Sequence, residues 1–433
     1  MSGRKITPSS SGSQHAEKQG RVRETLLDIL RCPFCGSRLT LVGNQALECA
    51  HGRIESGVLG CDCCAFPVVA GIPVLIADDT TREAMHQLEA GQREQALVTL
   101  LGLDDARRMS FQSLMEQPRP TYREALSILS LDAEADCFLY RFSDPTFVMI
   151  DALVTSLAQT SRLDPRPVLD LCGGSGHLTR VLAGLGPAGG VINADVYFWK
   201  LWMARRFTSP SSDAVCCDAN NPLPLVRDAC SLVVLSDAFP YIWHKRLLAE
   251  EMMRAVGSQG VIVLPHLHSS LGENFSAGMT LTPAGYASLL EPHAPRLFSD
   301  EVLFDGVLNH RTVDLTRSAS VADIGTEPSF TLVASRREDL FRKYVLKDPR
   351  EIQGELKVNP LYRVDPRGDS SVLTLTFPTP EYEEEFGACR QYLPLTVTLP
   401  GDLTGPIKPA ALGPQYDELR RRRVIIDAPL DYC

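Results

Sequence analysis

The run from Val168 to Leu178 constrains the fold of this chain more than any other stretch. It reads VLDLCGGSGHL: a short apolar run of strand type ends in an acid, and a glycine-rich turn follows. Apolar residues then recur at helical spacing, at Leu178, Val181, Leu182 and Leu185. A strand, a glycine turn and a helix in succession place backbone N–H groups and a helix N-terminus at the carboxyl end of the strand. The pattern predicts a crevice that a nucleoside cofactor can approach, although an ordinary glycine turn has the same composition.

Further segments of strand type follow the glycine turn, separated by helical patterns. They are Val191–Asp195, Ala214–Asp218, Cys230–Leu235 and Val261–Leu264. Nearly all-apolar strands that alternate with helices indicate a parallel sheet covered on both faces. Asp195 ends the second strand, 19 residues after Gly176. This spacing suits a carboxylate that accepts both hydroxyls of a ribose.

This series resembles the class I S-adenosylmethionine-dependent methyltransferases, from about Tyr140 to Arg337. The matching pieces are the D-L-C-G-G-S-G turn, Asp195, Cys217-Asp218 after the third strand, and S-D-A-F-P-Y after the fourth. Phe330–Ser335 is similar to the last strand of that family. The resemblance implies an α/β fold with a Rossmann-like, seven-stranded methyltransferase sheet, and S-adenosyl-L-methionine as the cofactor.

The same resemblance implies the residues around the cofactor. The methionine part would lie near Asp170, Gly174 and Gly176, with Ser236 at its end; Asp195 would bind the ribose and Asp218 the adenine amino group. Cys172 stands where the family's turn has its first glycine. We still count Cys172 among the residues predicted to bind the cofactor. The G-x-G-x-x-G turn of nicotinamide dehydrogenases is not present at residues 172–177.

A second motif lies near the N-terminus, where six of the chain's 13 cysteines fall between Cys32 and Cys64. Two C-x-x-C pairs, Cys32/Cys35 and Cys61/Cys64, are separated by 25 residues. This spacing predicts tetrahedral thiolate coordination of a structural zinc ion. The fourth ligand could instead be Cys49, Cys63 or His51, and a redox pair is the rival interpretation.

The segment around the cysteines, from about Leu26 to Ile76, resembles the small zinc-ribbon activator subunit of tRNA, rRNA and protein methyltransferases. Relatives of that subunit are also fused ahead of methyltransferase domains. The resemblance implies a stabilising or substrate-presenting role. The apolar stretch that follows the second pair could dock on the catalytic sheet or on a partner.

Composition limits the classes of function. The chain has 433 residues and a formal net charge of −10, which argues against nucleic acid held mainly through phosphate contacts. It has no apolar run long enough to span a bilayer and no secretion signal, so we expect no membrane partner. Many cysteines without a secretion signal imply a reducing compartment, and we expect a cytoplasmic protein.

The remaining segments complete the predicted domain organisation. We expect a disordered tail at 1–22, a zinc ribbon at 23–79, a helical connector or lid at 80–139, the methyltransferase domain at 140–338 and a β-rich extension at 339–433. Asp144 or Ser143 is expected to cap a helix that begins at Pro145. The C-terminal extension could also form a homo-oligomer contact. The four arginines Arg420–Arg423 are interpreted as a solvated helix face in preference to an RNA contact.

Methyl transfer from a sulfonium needs alignment, and an oxygen or acidic-carbon acceptor also needs a base. The catalytic candidates follow strands four and five: Asp237, Tyr241, His266 and His268, with His244 nearby. His266 and His268 share a face if the strand continues through them. They could equally be surface histidines. Metal binding by this pair is less favoured, because Glu273 is the only nearby carboxylate with an obvious ligand spacing.

The sequence therefore favours an S-adenosylmethionine-dependent methyltransferase acting on a small molecule. The motif D-A-F-P-Y at residues 237–241 departs from the Asp/Asn-Pro-Pro-Tyr of methyltransferases acting on bases and glutamine. An RNA methyltransferase remains an alternative because of the ribbon. A further alternative is a non-catalytic zinc-ribbon scaffold in which Cys172 marks a decayed cofactor site.

Overall fold

The computed structural model describes residues 22–50, 53–130, 134–162, 164–274, 278–347 and 350–433. The predicted N-terminal tail up to residue 21 and the alternative zinc ligand His51 lie outside these residues. None of the described helices combines the length and the apolar character that crossing a membrane requires.

The N-terminal cysteine region is a small antiparallel β structure arranged around one long strand, β4. Strands β1, β2, β3 and β5 all pair with β4, and β6 pairs with β5. The elements are β1 (Val22–Arg23), α1 (Glu24–Ile29), β2 (Thr40–Val42), β3 (Glu48–Ala50), β4 (Arg53–Gly60), β5 (Ala65–Val69) and β6 (Ile72–Pro73).

The apolar stretch after the second cysteine pair docks on the central sheet. Val74 forms a parallel bridge with Cys216, and the Leu75 N–H donates to the Cys216 carbonyl over 2.7 Å. A second bridge joins Leu30 to Leu225. The cysteine region thus covers one edge of the sheet, whose unpaired N–H and C=O groups would otherwise face water.

Six helices connect this region to the central sheet: α2 (Asp79–Glu89), α3 (Arg93–Leu100), α4 (Asp105–Met115), α5 (Tyr122–Leu129), α6 (Glu134–Leu139) and α7 (Pro145–Ala158). The expected cap of α7 is confirmed: Asp144 accepts the Thr146 N–H over 2.7 Å, and Pro145 occupies the first turn. A proline is favourable there because that N–H has no partner inside the helix.

A seven-stranded mixed sheet forms the centre of the molecule, with the order β12-β14-β11-β10-β7-β8-β9. Only β14 runs antiparallel to its neighbours. The elements are β7 (Val168–Leu171), α8 (His177–Gly184), β8 (Val191–Asp195), α9 (Phe198–Met203), β9 (Asp213–Cys216), β10 (Leu232–Leu235), α10 (Lys245–Val256), β11 (Val261–His268), α11 (Pro283–Leu289), β12 (Pro295–Ser299), α12 (Asp300–Asp305), β13 (Thr312–Asp314), α13 (Val321–Ile324) and β14 (Ser329–Ala334).

Strands β7, β8, β9 and β10 are buried at every residue, and large apolar clusters cover both faces of the sheet. This confirms the predicted Rossmann-like α/β sheet. Parallel strands leave their carboxyl ends at one edge, where ligands bind in open α/β sheets.

The C-terminal part of the chain forms short sheets and helices beside this core. Its elements are β15 (Lys343–Val345), β16 (Glu355–Val358), β17 (Tyr362–Arg367), β18 (Ser370–Leu375), α14 (Pro380–Phe386), β19 (Thr396–Pro400), α15 (Pro409–Leu412), α16 (Tyr416–Arg421) and β20 (Ile425–Ala428). Strands β17, β18 and β19 form one sheet, and β16 pairs with β20. Apolar residues alternate with threonine in β18 and β19, the pattern of half-buried strands.

Candidate active site

The residues predicted to bind a cofactor converge at the carboxyl edge of the sheet. Asp170 of β7 pairs with Asn193 of β8, and Asp195 of β8 pairs with Cys216 of β9. Cys172 stands at the centre of this group. Burial raises the pKa of its thiol well above the ordinary value, and the charges of Asp195, Cys217, Asp170 and Asp218 add to the rise.

The glycine turn is tightly packed by the protein itself. A Cβ on Gly173 would lie 2.5 Å from Asn193 Oδ1, and a Cβ on Gly176 would lie 2.7 Å from the Ala204 Cβ. Cys172 has a φ of +56°, a left-handed conformation in which a glycine would be less strained. The cysteine at this position therefore stores backbone strain in the turn.

Helix α6 lies over the turn. A Cβ on Gly174 would be 3.3 Å from the Phe138 ring, and Gly174 is buried. The ammonium of Lys200 lies 5.1 Å from the centre of the same ring. The backbone of the turn is thus covered by an aromatic side chain in this conformation, and the expected bare crevice is narrower than the sequence suggested.

The carboxylate of Asp195, at the end of β8, forms hydrogen bonds to the glycine turn and to the residues that follow β8. Its Oδ2 accepts the Gly174 N–H over 3.0 Å, and its Oδ1 accepts the Tyr197 N–H over 2.9 Å. Each carboxylate oxygen can accept a further hydrogen bond. Next to this acid, Val196 is 41% exposed and Tyr197 55%, so apolar surface adjoins the carboxylate.

Asp170 lies beneath the turn, with 1% of its surface exposed. Its Oδ2 accepts the Thr179 hydroxyl over 2.6 Å. Burial raises the pKa of Asp170 to about 7, although the hydrogen bond from Thr179 opposes this rise. This carboxyl group shapes the turn from below.

Asp218 and Ser236 end the two strands that flank this group. Asp218 Oδ1 accepts the Asn220 N–H over 2.8 Å, and its Oδ2 accepts the Asn221 amide over 3.2 Å. The Ser236 hydroxyl is buried and has no hydrogen-bond partner in the described part of the chain. A buried unpaired hydroxyl normally marks a missing water or ligand.

Three of the four predicted catalytic residues also meet. One ligand-type atom from each of Asp237, His266 and His268 lies within 4.8 Å of the others. His268 Nε2 and Asp237 Oδ1 are 3.0 Å apart, and the two imidazole centroids are separated by 5.0 Å. Tyr241 does not join them: 54% of its surface is exposed. We call Asp237, His266 and His268 the histidine cluster.

The backbone is distorted at the histidine cluster. His266 has a φ of +55° and Asp237 a φ of +56°. The pairing of β11 with β14 also shifts register between Leu264 and Leu267. The two histidines therefore do not meet through regular alternation along the strand, as the sequence suggested, but through a bulge that redirects His266.

Several residues near the histidine cluster were not predicted from the sequence. Asp300 Oδ2 lies 3.0 Å from His266 Nδ1, and Asp300 Oδ1 accepts the Thr331 hydroxyl over 2.6 Å. Burial opposes protonation of His266, but the hydrogen bond to Asp300 and the charge of Asp237 raise its pKa. Asp300 begins a separate helix 34 residues away, and no local pattern marks it.

Arg141 interacts with both the cofactor-side acids and the histidine cluster. It forms an ion pair with Asp144, and its positive charge acts to lower the pKa of both Asp170 and Asp237. From the C-terminal part, the exposed Glu385 is close enough to interact electrostatically with this group: partial desolvation raises its pKa, and the charges of Asp144 and Asp237 add to that rise. Residues from three distant segments thus contribute charge to the site.

The cysteine cluster lies apart from this edge. The Sγ atoms of Cys32, Cys35, Cys61 and Cys63 lie within 4.8 Å of one another. Cys63 stands in the place for which the spacing favoured Cys64, and the Cys64 Sγ is 3.3 Å from that of Cys63. Cys49 is exposed and is not in this group. Consecutive residues of a tight turn point in different directions, so spacing alone could not choose between Cys63 and Cys64.

The separations within the cysteine cluster fit a tetrahedron of sulfur ligands. Cys32 and Cys63 are 3.8 Å apart at Sγ, Cys35 and Cys61 are 3.7 Å apart, and Cys61 and Cys63 are 3.8 Å apart. Zinc–sulfur bonds of about 2.3 Å in a tetrahedron give sulfur–sulfur edges of about 3.8 Å. The arrangement can therefore hold a zinc ion.

No protein-family model matches the sequence, and no curated protein matches it. Among solved structures, the chain is similar to an S-adenosylmethionine-dependent methyltransferase from Aquifex aeolicus, at 15% identity and a TM-score of 0.32, over 47% of this chain and 98% of that one. A second such enzyme, from Mesorhizobium loti, is 16% identical with a TM-score of 0.30, over 41% and 93% of the two chains.

A third similar chain belongs to the complex between the Haloferax volcanii Trm112 methyltransferase activator and a protein described there as a methyltransferase. It is 14% identical with a TM-score of 0.33, over 49% of this chain and 96% of that one. Each similarity covers less than half of this chain, so the assignment of the site rests on its own geometry.

Proposed function

We propose that this protein is an S-adenosylmethionine-dependent methyltransferase that acts on a small molecule. The observation that carries the proposal is the convergence of the Cys172 turn, three strand-end acids and the histidine cluster at one edge of the sheet. Ser236, whose hydroxyl is unpaired, follows strand β10. This strand lies between β7, which leads into the Cys172 turn, and β11, which carries His266 and His268.

The residues at this edge suit an adenosyl cofactor. Asp195 would accept the ribose hydroxyls with the lone pairs that Gly174 and Tyr197 leave free, and the exposed Val196 and Tyr197 side chains would pack against the adenine. Asp218 would accept the adenine amino group, and the Ser236 hydroxyl would gain a partner at the methionine end. When bound, this cofactor supplies an activated methyl group.

The chain's own residues would then orient the acceptor, exclude water and take up a proton. His266 and His268 lie where an acceptor bound next to the methionine end would meet them, and a histidine is a suitable base near neutral pH. Asp300 holds the His266 ring through Nδ1, which leaves Nε2 to face the acceptor. Helix α6 and Glu385 of the C-terminal part would shield this space from solvent.

A small acceptor is favoured over RNA by the charges of the chain. The net charge is −10, and the arginine run makes its contacts within the protein. Arg421 pairs with Glu418 over 2.6 Å, and Arg423 pairs with Asp151 over 2.8 Å. For the cysteine cluster we propose a structural zinc ion bound by Cys32, Cys35, Cys61 and Cys63, because all four positions of the tetrahedron are then occupied by protein.

Isothermal titration of the zinc-loaded, full-length protein with S-adenosylmethionine tests the proposal. We expect saturable binding, and we expect Asp195→Ala to weaken it by about 10- to 100-fold, since hydrogen bonds to a charged group contribute about 1.5–3 kcal/mol. Asp195→Asn, which keeps an acceptor for the backbone N–H groups, should weaken it less. Asp365→Ala, at an exposed acid paired with Arg367, is the matched control.

Two results would contradict the assignment. Folded, zinc-loaded protein that binds no S-adenosylmethionine would overturn the methyltransferase proposal as a whole. An unchanged affinity in Asp195→Ala would overturn only the ribose contact.

A further inference from the structure

We propose that the histidine cluster binds one divalent transition-metal ion beside the cofactor crevice. Asp237, His266 and His268 each offer one ligand atom, and the three atoms lie within 4.8 Å of one another. Two imidazoles and one carboxylate form a ligand set that suits first-row transition ions and leaves coordination positions open. Mg²⁺ and Ca²⁺ prefer oxygen ligands throughout and fit this set less well.

The separation between His268 and Asp237 agrees with shared coordination. Their nearest atoms, Nε2 and Oδ1, are 3.0 Å apart. Adjacent ligands at right angles on one ion, with bonds of about 2.1 Å, lie about 3.0 Å apart. The other ring nitrogen of His268, Nδ1, is buried and has no hydrogen-bond partner in the described part of the chain. Nδ1 points away from Nε2 in the ring, so an ion on Nε2 would leave the ring proton on Nδ1, where a separate water would be its partner.

The second imidazole is already held as metal-binding histidines commonly are. His266 Nδ1 meets Asp300 Oδ2 at 3.0 Å, and the other oxygen of Asp300 accepts the Thr331 hydroxyl. This contact leaves Nε2 of His266 available as a ligand. A carboxylate that accepts the second ring N–H of a metal-binding histidine orients the ring and makes it a better donor.

The charge around the histidine cluster also suits a cation. The carboxylates of Asp237, Asp300 and Asp144 act electrostatically on His266, and the exposed Glu385 interacts with Asp237 and His268, whereas Arg141 is the guanidinium that acts on both Asp237 and Glu385. The acids therefore exceed the fixed positive charge that the described residues bring to this space. A bound divalent ion would reduce the repulsion between these carboxylates.

The backbone conformation at Asp237 and His266 is also typical of a binding site. Both Asp237 and His266 are held at positive φ, and the bulge in β11 falls beside His266. Strained backbone of this kind persists where the surrounding structure requires it, and it concentrates at binding and active sites. Regular strand geometry would not bring His266 and Asp237 to one point.

The ion would also indicate the class of acceptor, and this consequence, unlike the ion site itself, rests on the proposed methyl transfer. Three protein ligands leave open positions for an oxygen atom of the acceptor. A divalent ion lowers the pKa of a bound hydroxyl, so the acceptor would be an alcohol or a phenol that loses its proton to water on binding. With the ion bound, His266 and His268 would hold the ion and would not act as the base.

Electron paramagnetic resonance with Mn²⁺ tests the site, because Mn²⁺ is a first-row ion that binds carboxylate oxygen and competes poorly for the thiolates of the cysteine cluster. The full-length protein, loaded with one equivalent of zinc so that only the cysteine cluster is filled, should remove one equivalent of Mn²⁺ from the signal of the free ion. We expect His266→Ala and His268→Ala each to weaken binding at least tenfold, and Asp300→Asn to weaken it by about 10- to 100-fold. Asp237→Asn provides a variant of nearly unchanged shape.

His310→Ala is the matched control, because His310 forms an exposed pair with Asp305 at 3.4 Å and lies outside the site. The inference would be overturned if the native protein bound no Mn²⁺, or if binding persisted in the three cluster variants and in Asp300→Asn. Titration of the same samples with S-adenosylmethionine separates the two proposals. Bound Mn²⁺ without cofactor binding would support the ion site and overturn the methyltransferase, and the reverse result would do the opposite.

Discussion

The two ends of the chain dock on the same central sheet by different physical means. The N-terminal cysteine region joins the sheet through backbone: Val74 bridges Cys216 at the edge strand, and Leu30 bridges Leu225. Four of its cysteines bring their sulfur atoms within 4.8 Å of one another. The C-terminal part joins the core through side chains that lie far apart in sequence.

The C-terminal contacts are mainly buried polar pairs. Asp151 of α7 is 1% exposed and accepts hydrogen bonds from both Arg350 and Arg423. Tyr432 bonds to His177 Nε2 over 2.8 Å, directly after the glycine turn. Arg180 of α8 also pairs with Asp427 over 3.0 Å.

This difference determines what each region contributes to the site. The cysteine region covers a sheet edge and has no residue in the histidine cluster. The C-terminal part places Tyr432 against the helix that follows the turn, and its exposed Glu385 acts electrostatically on the cluster. The end that carries a recognisable motif therefore covers a sheet edge, whereas the end without one contacts the element next to the glycine turn.

The largest expected effect comes from the cysteine cluster. Cys63→Ser should remove the zinc ion and unfold the cysteine region, because such sites bind zinc with about 10–16 kcal/mol in small peptides. Metal content by mass spectrometry and proteolysis of residues 22–76 measure this. Cys64→Ser is the matched control and should retain the metal; loss of zinc in Cys64→Ser alone would restore the original Cys32/Cys35/Cys61/Cys64 set.

The next effect concerns Asp151. Asp151→Asn should destabilise the protein by about 3–5 kcal/mol, since it removes the buried charge that accepts hydrogen bonds from two half-buried guanidinium groups. Burial opposes ionisation, but Arg350 and Arg423 keep the pKa of Asp151 below its ordinary value. Its contribution is therefore present above about pH 4 and is lost as the pH falls through the lowered pKa. Urea unfolding measures both effects, and Asp365→Asn should change stability by less than about 0.5 kcal/mol.

A smaller effect concerns the contact between Tyr432 and His177. Tyr432→Phe should cost about 1–3 kcal/mol, because it leaves the buried His177 Nε2 without a partner. Burial lowers the pKa of His177 to about 3. Between about pH 3 and 6.5, the His177 ring is then protonated only in the unfolded chain. Lowering the pH through this range therefore reduces the free energy of unfolding by about 1.4 kcal/mol per pH unit.

Thermal unfolding across that pH range measures the His177 contribution. His177→Phe should flatten the slope, whereas the exposed His310→Ala should leave it unchanged. A slope that is the same in all three proteins would contradict burial of a neutral His177 beneath the C-terminal tyrosine.

The smallest effects fall within the arginine run. Arg421→Ala should change stability by less than about 0.5 kcal/mol, because its pair with Glu418 is solvent-exposed. Arg423→Ala should cost about 1.5–3 kcal/mol, because it removes a hydrogen bond to buried Asp151. If urea unfolding gave the same loss of stability for both variants, the bond of Arg423 to Asp151 would contribute no more than the exposed pair of Arg421 with Glu418.

Sequence-based prediction succeeded where the signal is local. The apolar strands, the turn at residues 172–176 and the cap at Asp144 each depend on neighbouring residues, and the structure contains all of them. Within the candidate site, the strand-end acids could be named because parallel strands end at a common edge. The choice of Cys63 over Cys64 depends on a turn geometry that spacing does not encode.

The remaining site residues could not be found in this way. Asp300 lies 34 residues after His266 and contacts its ring only because a separate helix packs against the sheet. Glu385, 119 residues after His266, acts electrostatically on Asp237 and His268 from the C-terminal part. The cover of Phe138 over Gly174 likewise depends on how α6 packs, which helical periodicity does not specify.

The sequence by itself determined the alternation of strands and helices, the glycine-rich turn and the two C-x-x-C motifs, because each follows from residues within one or two turns of the chain. Only the tertiary structure decided which acids meet His266, which cysteine completes the cluster and which arginine bonds to a buried acid. Those outcomes depend on contacts between residues far apart in the chain, and no short pattern of side chains specifies them.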